Sequence, residues 1–292
     1  MIDRGRSSWH PGVRPTLRDV LGGFPAPSPG AVGDPGLFGP GSLVWRVNGE
    51  AILLAGGARA LLLQIAHPLV AAGVADHSGF DRDPWERLWG TLSAVLDVAF
   101  GDVEQARAAA ARVTGLHAHV VGSRDGTAYS ALDPELLLWV HLTLVDSALV
   151  SYERLVGRLG LRARDRYIDE MRRFGELFGV SVSDLPVDAA SFAQRRDGYV
   201  ASLRVTEEAR RLLPGIISPP VPLALEPAAA ATRLLTAWML PPTVRSAFGL
   251  AWDARRERAA RTLAASIRSA LPLVPVPIRR WPHARVAERR LA

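Results

Sequence analysis

Asp133-Pro134-Glu135-Leu136-Leu137-Leu138-Trp139-Val140-His141-Leu142-Thr143-Leu144-Val145-Asp146-Ser147-Ala148 reads as the opening of a buried helix. Asp133 suits the cap, Pro134 the first helical position, and Glu135 the positive end of the helix dipole. At the helical repeat, His141 is flanked by Leu137, Leu138, Leu144, Val145 and Ala148, while Glu135, Thr143, Asp146 and Ser147 fall on the other side. An imidazole therefore interrupts an apolar stripe, where a polar group needs a partner. Two readings answer that need. One is a core histidine hydrogen-bonded to a carbonyl or hydroxyl. The other is an axial ligand to a haem iron, because haem is a large apolar disc that needs one imidazole on an oily wall.

The 292 residues allow one large domain or two small ones, and a hydrophobic content of 48% supplies a core. The absence of cysteine excludes disulfides, thiolate catalysis, zinc–thiolate sites, iron–sulfur clusters and a cysteine-ligated haem, and fits a cytoplasmic location. The net charge is +6 and every basic residue is arginine. Those arginines are scattered, without a finger, an aromatic RNA-binding signature or a basic recognition helix, so no nucleic-acid partner is expected. Residues 1–40 lack the apolar segment of a signal peptide. The most apolar runs, 51–75 and 136–150, are interrupted by Arg59, Gln64, His67 and Pro68 and by His141 and Asp146, which favours buried helices over membrane spans.

Breakers divide the chain into an arm (1–41), a body (42–271) and a Pro/Arg-rich tail (272–292) whose Trp281 suits either packing or peripheral contact with a membrane surface. In the body, Pro68 should bend a helix or start a new one. Gln64 and His67 share a face there, either bonding across a pocket or with His67 taking the carbonyls freed at the proline. Residues 76–84 read as a loop, and 84–100 as an amphipathic helix whose tryptophans pack. The next helix, 102–122, carries Arg112, His117 and His119, with His117 on its apolar face as a second buried imidazole. A zinc site from His117, His119 and His141 is disfavoured, because His-x-His does not bring two ligands together on a helix. A turn-rich connector (123–134), a charged helical stretch (187–213), a proline-rich linker or lid (214–227) and a helical stretch (243–271) follow. No alternating strand pattern, dinucleotide fingerprint, P-loop, His-Glu-x-x-His or Gly-x-Ser-x-Gly occurs, so the expected fold is all-α and multi-helical.

Several motifs occur together in order: Ala58-Arg59-Ala60-Leu61-Leu62-Leu63-Gln64-Ile65-Ala66-His67-Pro68, Gly73-Val74-Ala75-Asp76-His77-Ser78, Arg112 with His117, Val120 and Gly122, Tyr129 with Asp133-Pro134 through His141, and Leu240-Pro241-Pro242 with Arg245 and Phe248-Gly249-Leu250. This set resembles the DUF2236 family, the MpaB and rubber-oxygenase (latex-clearing protein) catalytic domain. The resemblance implies a globin-like helical bundle, haem b, and dioxygen-dependent cleavage of double bonds in isoprenoid chains. It implies that His141 is the proximal iron ligand, that Arg112 lines the distal side with His117, and that Arg245 pairs with a haem propionate. Rubber-cleaving members carry a distal lysine and threonine where this chain has Gly115 and Leu116. The expected function is thus a haem-dependent, oxygenase-like protein using dioxygen or peroxide on an apolar, isoprenoid-like substrate. Its rivals are a non-enzymatic helical protein that binds haem or a lipophile, and a structural helical protein with no cofactor.

Overall fold

The computed structural model describes residues 14–78 and 84–292, so the first 13 residues of the arm and residues 79–83 of the loop expected at 76–84 lie outside the described residues. The N-terminal part forms α1 (Leu17–Leu21), α2 (Leu43–Asn48), a 3-10 helix (Ala51–Gly56), α3 (Gly57–Ile65) and α4 (Pro68–His77). Then come α5 (Pro84–Phe100), α6 (Val103–His117), a hairpin of β1 (Val121–Arg124) and β2 (Thr127–Ser130), α7 (Pro134–Leu155) and α8 (Leu161–Leu177). The remainder is α9 (Ala189–Ser202), α10 (Glu207–Ile217), α11 (Glu226–Met239), α12 (Pro242–Ala247), α13 (Ala254–Ala270), α14 (Val276–Arg279) and α15 (Pro282–Leu291). The fold is all-α, with one small antiparallel hairpin among the described residues.

Local chemistry sets these boundaries. Asp133 Oδ1 accepts from the amide of Glu135 at 2.9 Å and Pro134 opens α7, as the cap pattern predicts. Asp102 and Gln105 form a capping box at the start of α6. Pro68 begins a new helix, leaving the preceding helical stretch and α4 bent by 107°.

Three expectations need correction. The connector at 123–134 contains a hairpin, because Asp125 and Gly126 both take positive φ, 52° and 78°, and supply the two-residue turn that antiparallel strands prefer. The helical stretch expected over 187–213 divides into two helices: Leu203 is extended, and Thr206 caps a fresh start that runs through Pro214. The stretch 243–271 is also broken, at Gly249 with φ +70°, and Asp253 caps α13.

α7 is the axis of the molecule, packed against the Ala51–Gly56 helix, α3, α8, α9 and α13. It is long and apolar enough to cross a membrane by composition, yet it lies mostly buried inside the fold. Of its polar side only Glu135, in the first turn, is exposed: Thr143, Asp146 and Ser147 are enclosed, as is Ser151 further along. Burial of those groups is compensated from α3. Arg59 donates to Asp146 Oδ2 at 2.5 Å, Ser147 Oγ at 2.7 Å and the Met239 carbonyl at 2.8 Å. Arg196 of α9 reaches the other Asp146 oxygen at 2.9 Å, and Gln64 donates to Thr143 Oγ1 at 3.1 Å. Backbones approach closely here: a Cβ on Gly56 would fall 2.1 Å from Ser151 Oγ, so only glycine fits that crossing.

The terminal segments pack onto this body. Phe24 of the arm meets Trp89 and Trp281. Trp281 is buried, so of its two expected roles the structure gives packing. Arg290 of α15 is enclosed and donates to the carbonyls of Asp34 and Phe100 at 2.7 and 3.2 Å.

Asp146→Ala leaves Arg59 charged and enclosed without its carboxylate, and should cost about 3–5 kcal/mol of stability in urea unfolding. A second expectation concerns pH. His283 is buried with no partner at either ring nitrogen, and burial lowers its pKa to about 4. The unfolded ring titrates near ~6.5, so below that value the unfolded chain holds more protons than the native one. Stability should therefore fall as pH drops from about 6.5 to about 4, and His283→Leu should flatten that slope in denaturation curves.

Candidate functional site

An elongated apolar slot of about 160 Å³ lies between α3, α5, α7 and α8. Helical spacing builds each wall. Leu53 and Leu54 precede Gly57, Ala60, Leu61 and Gln64 on one side; Leu88, Leu92, Val95 and Ala99 of α5 face them. Leu144 and Ala148 of α7 and Tyr167, Met171 and Phe174 of α8 complete the enclosure. Trp281 and Asn48 stand at one end, where the Tyr167 hydroxyl donates to Asn48 Oδ1 at 3.0 Å. Gln64, Leu144 and Phe174 mark the other end, seven residues or about 10 Å along α8.

His141 sits just behind that second end. It is one turn before Leu144 on the same face of α7, and its ring stacks on Phe174 with centroids 6.3 Å apart. The slot's lining itself does not include it. Only 6% of the residue is exposed, and its Nδ1 is enclosed without any hydrogen-bond partner. Burial lowers its pKa to about 4, so the ring is neutral at ordinary pH. The reading of a core histidine satisfied by a carbonyl or hydroxyl is not met at this nitrogen. Asp146, as its position on the helix suggested, serves the two arginines instead.

The other sequence candidates fall at different places. Gln64 lines the slot, its amide held by Thr143. His67 is the residue before Pro68; its Nδ1 is also enclosed and unpartnered, so that atom does not take the carbonyls freed at the proline. Burial lowers the His67 pKa. His117 ends α6 half-buried, its pKa lowered by burial and by the charge of Arg87. Arg112 is largely exposed, pairs with Asp97 at 3.4 Å and does not line the slot. Arg245 donates to the Ala237 carbonyl at 3.2 Å and stacks over Trp252 at 4.4 Å, again outside the lining. Among the described residues, no group of three His, Cys, Asp or Glu gathers as a metal cage.

Arg87 was not singled out from the sequence. It lines the open side of the slot, and burial against its neighbours lowers its pKa. The available signal was its helical spacing, four residues before Thr91 and eight before Val95, on the stripe that faces the slot.

Gly175 lets α8 press against α7 beside the imidazole. An added Cβ there would lie 2.7 Å from Leu185 Cδ2 and 3.3 Å from His141 Cε1. Gly175→Ala should therefore overpack the site and cost about 1–3 kcal/mol, read as a lowered melting temperature.

The model of one family, described as ER-bound oxygenase mpaB/B'/Rubber oxygenase, catalytic domain, matches residues 45–269. No curated protein and no solved structure matches the chain. The matched region carries the slot walls from α3 to α8, together with His141, and leaves Trp281 outside. With most of its length matched, including every helix around the buried imidazole, the chain belongs to the mpaB/rubber oxygenase catalytic-domain family.

Proposed function

We propose that this chain is a haem b-dependent oxygenase of an apolar substrate, with His141 as the imidazole that holds the iron. The observation that carries the reading is the enclosed His141 ring, neutral and unpartnered at Nδ1, beside an apolar slot. A buried polar atom with no protein partner costs free energy unless something else supplies the interaction. Membership of an oxygenase family supports the same reading.

The donor chemistry fits: a neutral imidazole on an oily wall is what haem ligation needs. With the pKa lowered to about 4, a proton does not compete for the ring's lone pair at neutral pH. The fit of volume is conditional. At about 160 Å³ the slot is below the range of ~300–1,000 Å³ usual for ligand pockets, so a tetrapyrrole requires α5 to give way. Bound haem supplies the oxygen chemistry, with dioxygen or peroxide as oxidant. The chain itself supplies a fixed α7, a mostly apolar lining, and Arg87 at the open side as a cation suited to a carboxylate of the occupant. Arg245, already stacked on Trp252, is the poorer partner for that carboxylate. The distal lysine of rubber-cleaving members has no counterpart, and Leu116 is exposed on α6. This favours a substrate other than polyisoprene.

The small slot favours a second reading, a non-enzymatic carrier of an alkyl or isoprenoid chain. An enclosed cavity of ~150 Å³ already holds a ligand the size of benzene.

Haem titration decides between them. The wild type should develop a Soret band with one haem per chain, and His141→Ala should bind at least ~10-fold more weakly, a loss of about 1.4 kcal/mol. The loaded wild type should then consume oxygen in the presence of an isoprenoid. A wild type that stays colourless overturns the haem reading. A red protein that consumes no oxygen with any apolar alkene overturns the oxygenase reading, and a colourless one that binds an isoprenoid supports the carrier.

A further inference from the structure

Residues 272–278, Pro-Leu-Val-Pro-Val-Pro-Ile, are apolar without interruption. They nevertheless stand outside the core. Leu273 is 84% exposed, Ile278 72% and Val276 56%. Prolines 272, 275 and 277 hold the stretch as a short 3-10 turn and the one-turn α14, so the aliphatic side chains project as a tongue. A lone exposed leucine needs no explanation, but a run of aliphatic residues presented together does.

The sequence around it is rich in arginine. Between Glu257 and Glu288 there is no acidic residue, and the interval holds Arg258, Arg261, Arg268, Arg279, Arg280 and Arg285. Arg279 and Arg280 are engaged by Glu50 and Glu288, which anchor the base of the tongue. Arg268, one turn before the tongue, is exposed, and Arg285 donates to the Pro277 carbonyl at 3.2 Å, beside the aliphatic tip.

The tongue also has a defined place relative to the slot. Trp281, three residues after Ile278, closes the slot's end and donates its backbone N–H to the Gly49 carbonyl at 3.0 Å. Arg279 pairs with Glu50, immediately before the segment that supplies Leu53 and Leu54 to the wall. The tongue therefore emerges at the Trp281 end, opposite His141.

We propose that residues 272–278 insert into the interface of an anionic lipid bilayer, with Arg268 and Arg285 on its headgroups, and so bring the Trp281 end of the slot to the membrane. Aliphatic side chains that reach past a basic collar match the layered chemistry of a membrane surface: charge outside, hydrocarbon within. A nucleic acid would satisfy the arginines and leave the aliphatic tip wet. Docking in this way would hold the slot close to apolar molecules dissolved in the bilayer. The proposal concerns the chain's own surface and does not depend on haem or on His141.

The test uses the full chain without added haem, in vesicle co-flotation. The probes are phosphatidylcholine vesicles with and without phosphatidylglycerol. The wild type should float with the anionic vesicles, bind neutral ones at least ~10-fold more weakly, and be released by salt. Leu273→Glu/Ile278→Glu, at positions already exposed, should lose at least ~10-fold of that binding while keeping the wild-type melting temperature. Absence of wild-type binding overturns the proposal, as does a double variant that binds as well as wild type. A double variant that changes only the oligomeric state, by light scattering, also overturns it and assigns the tongue to a second copy of the chain.

Discussion

Arg59 enters the interior on α3 with its charge intact, and the carboxylate of Asp146 on α7 makes that burial tolerable. The guanidinium is planar and its donors are fixed in a fork, so satisfying Asp146, Ser147 and the Met239 carbonyl at once leaves little freedom in how α3, α7 and α11 meet. Arg196 brings α9 into the same arrangement through the second Asp146 oxygen. These contacts fix the spacing of α3 and α7, the two elements that carry Leu61, Gln64, Leu144 and Ala148 to the slot. His141 lies five residues before Asp146, about 7.5 Å along the axis, and inherits its position from the same constraint.

The slot thus has walls of different kinds. α3 and α7 are joined by a buried polar network that breaks only at high cost. α5 meets the slot mostly through the apolar Leu88, Leu92, Val95 and Ala99, and is secured by the Trp85 bond to the Pro220 carbonyl, the Trp89 bond to the Val20 carbonyl and the Arg290 bond to the Phe100 carbonyl. Apolar packing is non-directional, so α5 can yield where α7 cannot. That difference reconciles a slot of alkyl-chain size with a family whose catalytic domain is an oxygenase. Room for the proposed haem would come from the mostly apolar wall, while the imidazole stays fixed.

What could be read from the residues follows the range of the interaction responsible. The cap at Asp133-Pro134, the break at Pro68 and the all-α class are local or periodic signals, and the structure has them. The line His141, Leu144, Ala148 was readable as one face of one helix. The opposite face of α7 was not. Periodicity gives the angle at which Thr143, Asp146 and Ser147 project, but says nothing about what covers them, and the covering residue lies 87 positions from Asp146. The Asp125-Gly126 turn was legible in principle, but its strands are four residues each and mostly exposed, so no hydrophobic alternation flagged them. Arg112 and Arg245 came from family resemblance, and both are engaged elsewhere. Arg87, which does line the slot, sits in a helix whose tryptophans drew the reading toward packing.

The central claim is the proposal that the enclosed His141 ring, unpartnered at Nδ1, serves an iron. Resonance Raman spectroscopy of the ferrous, haem-loaded protein addresses that bond itself. The account predicts an iron–histidine stretching band in the wild type that is lost in His141→Gly and restored by added imidazole. A band that persists unchanged in His141→Gly, or a loaded wild type with no histidine band, would contradict it.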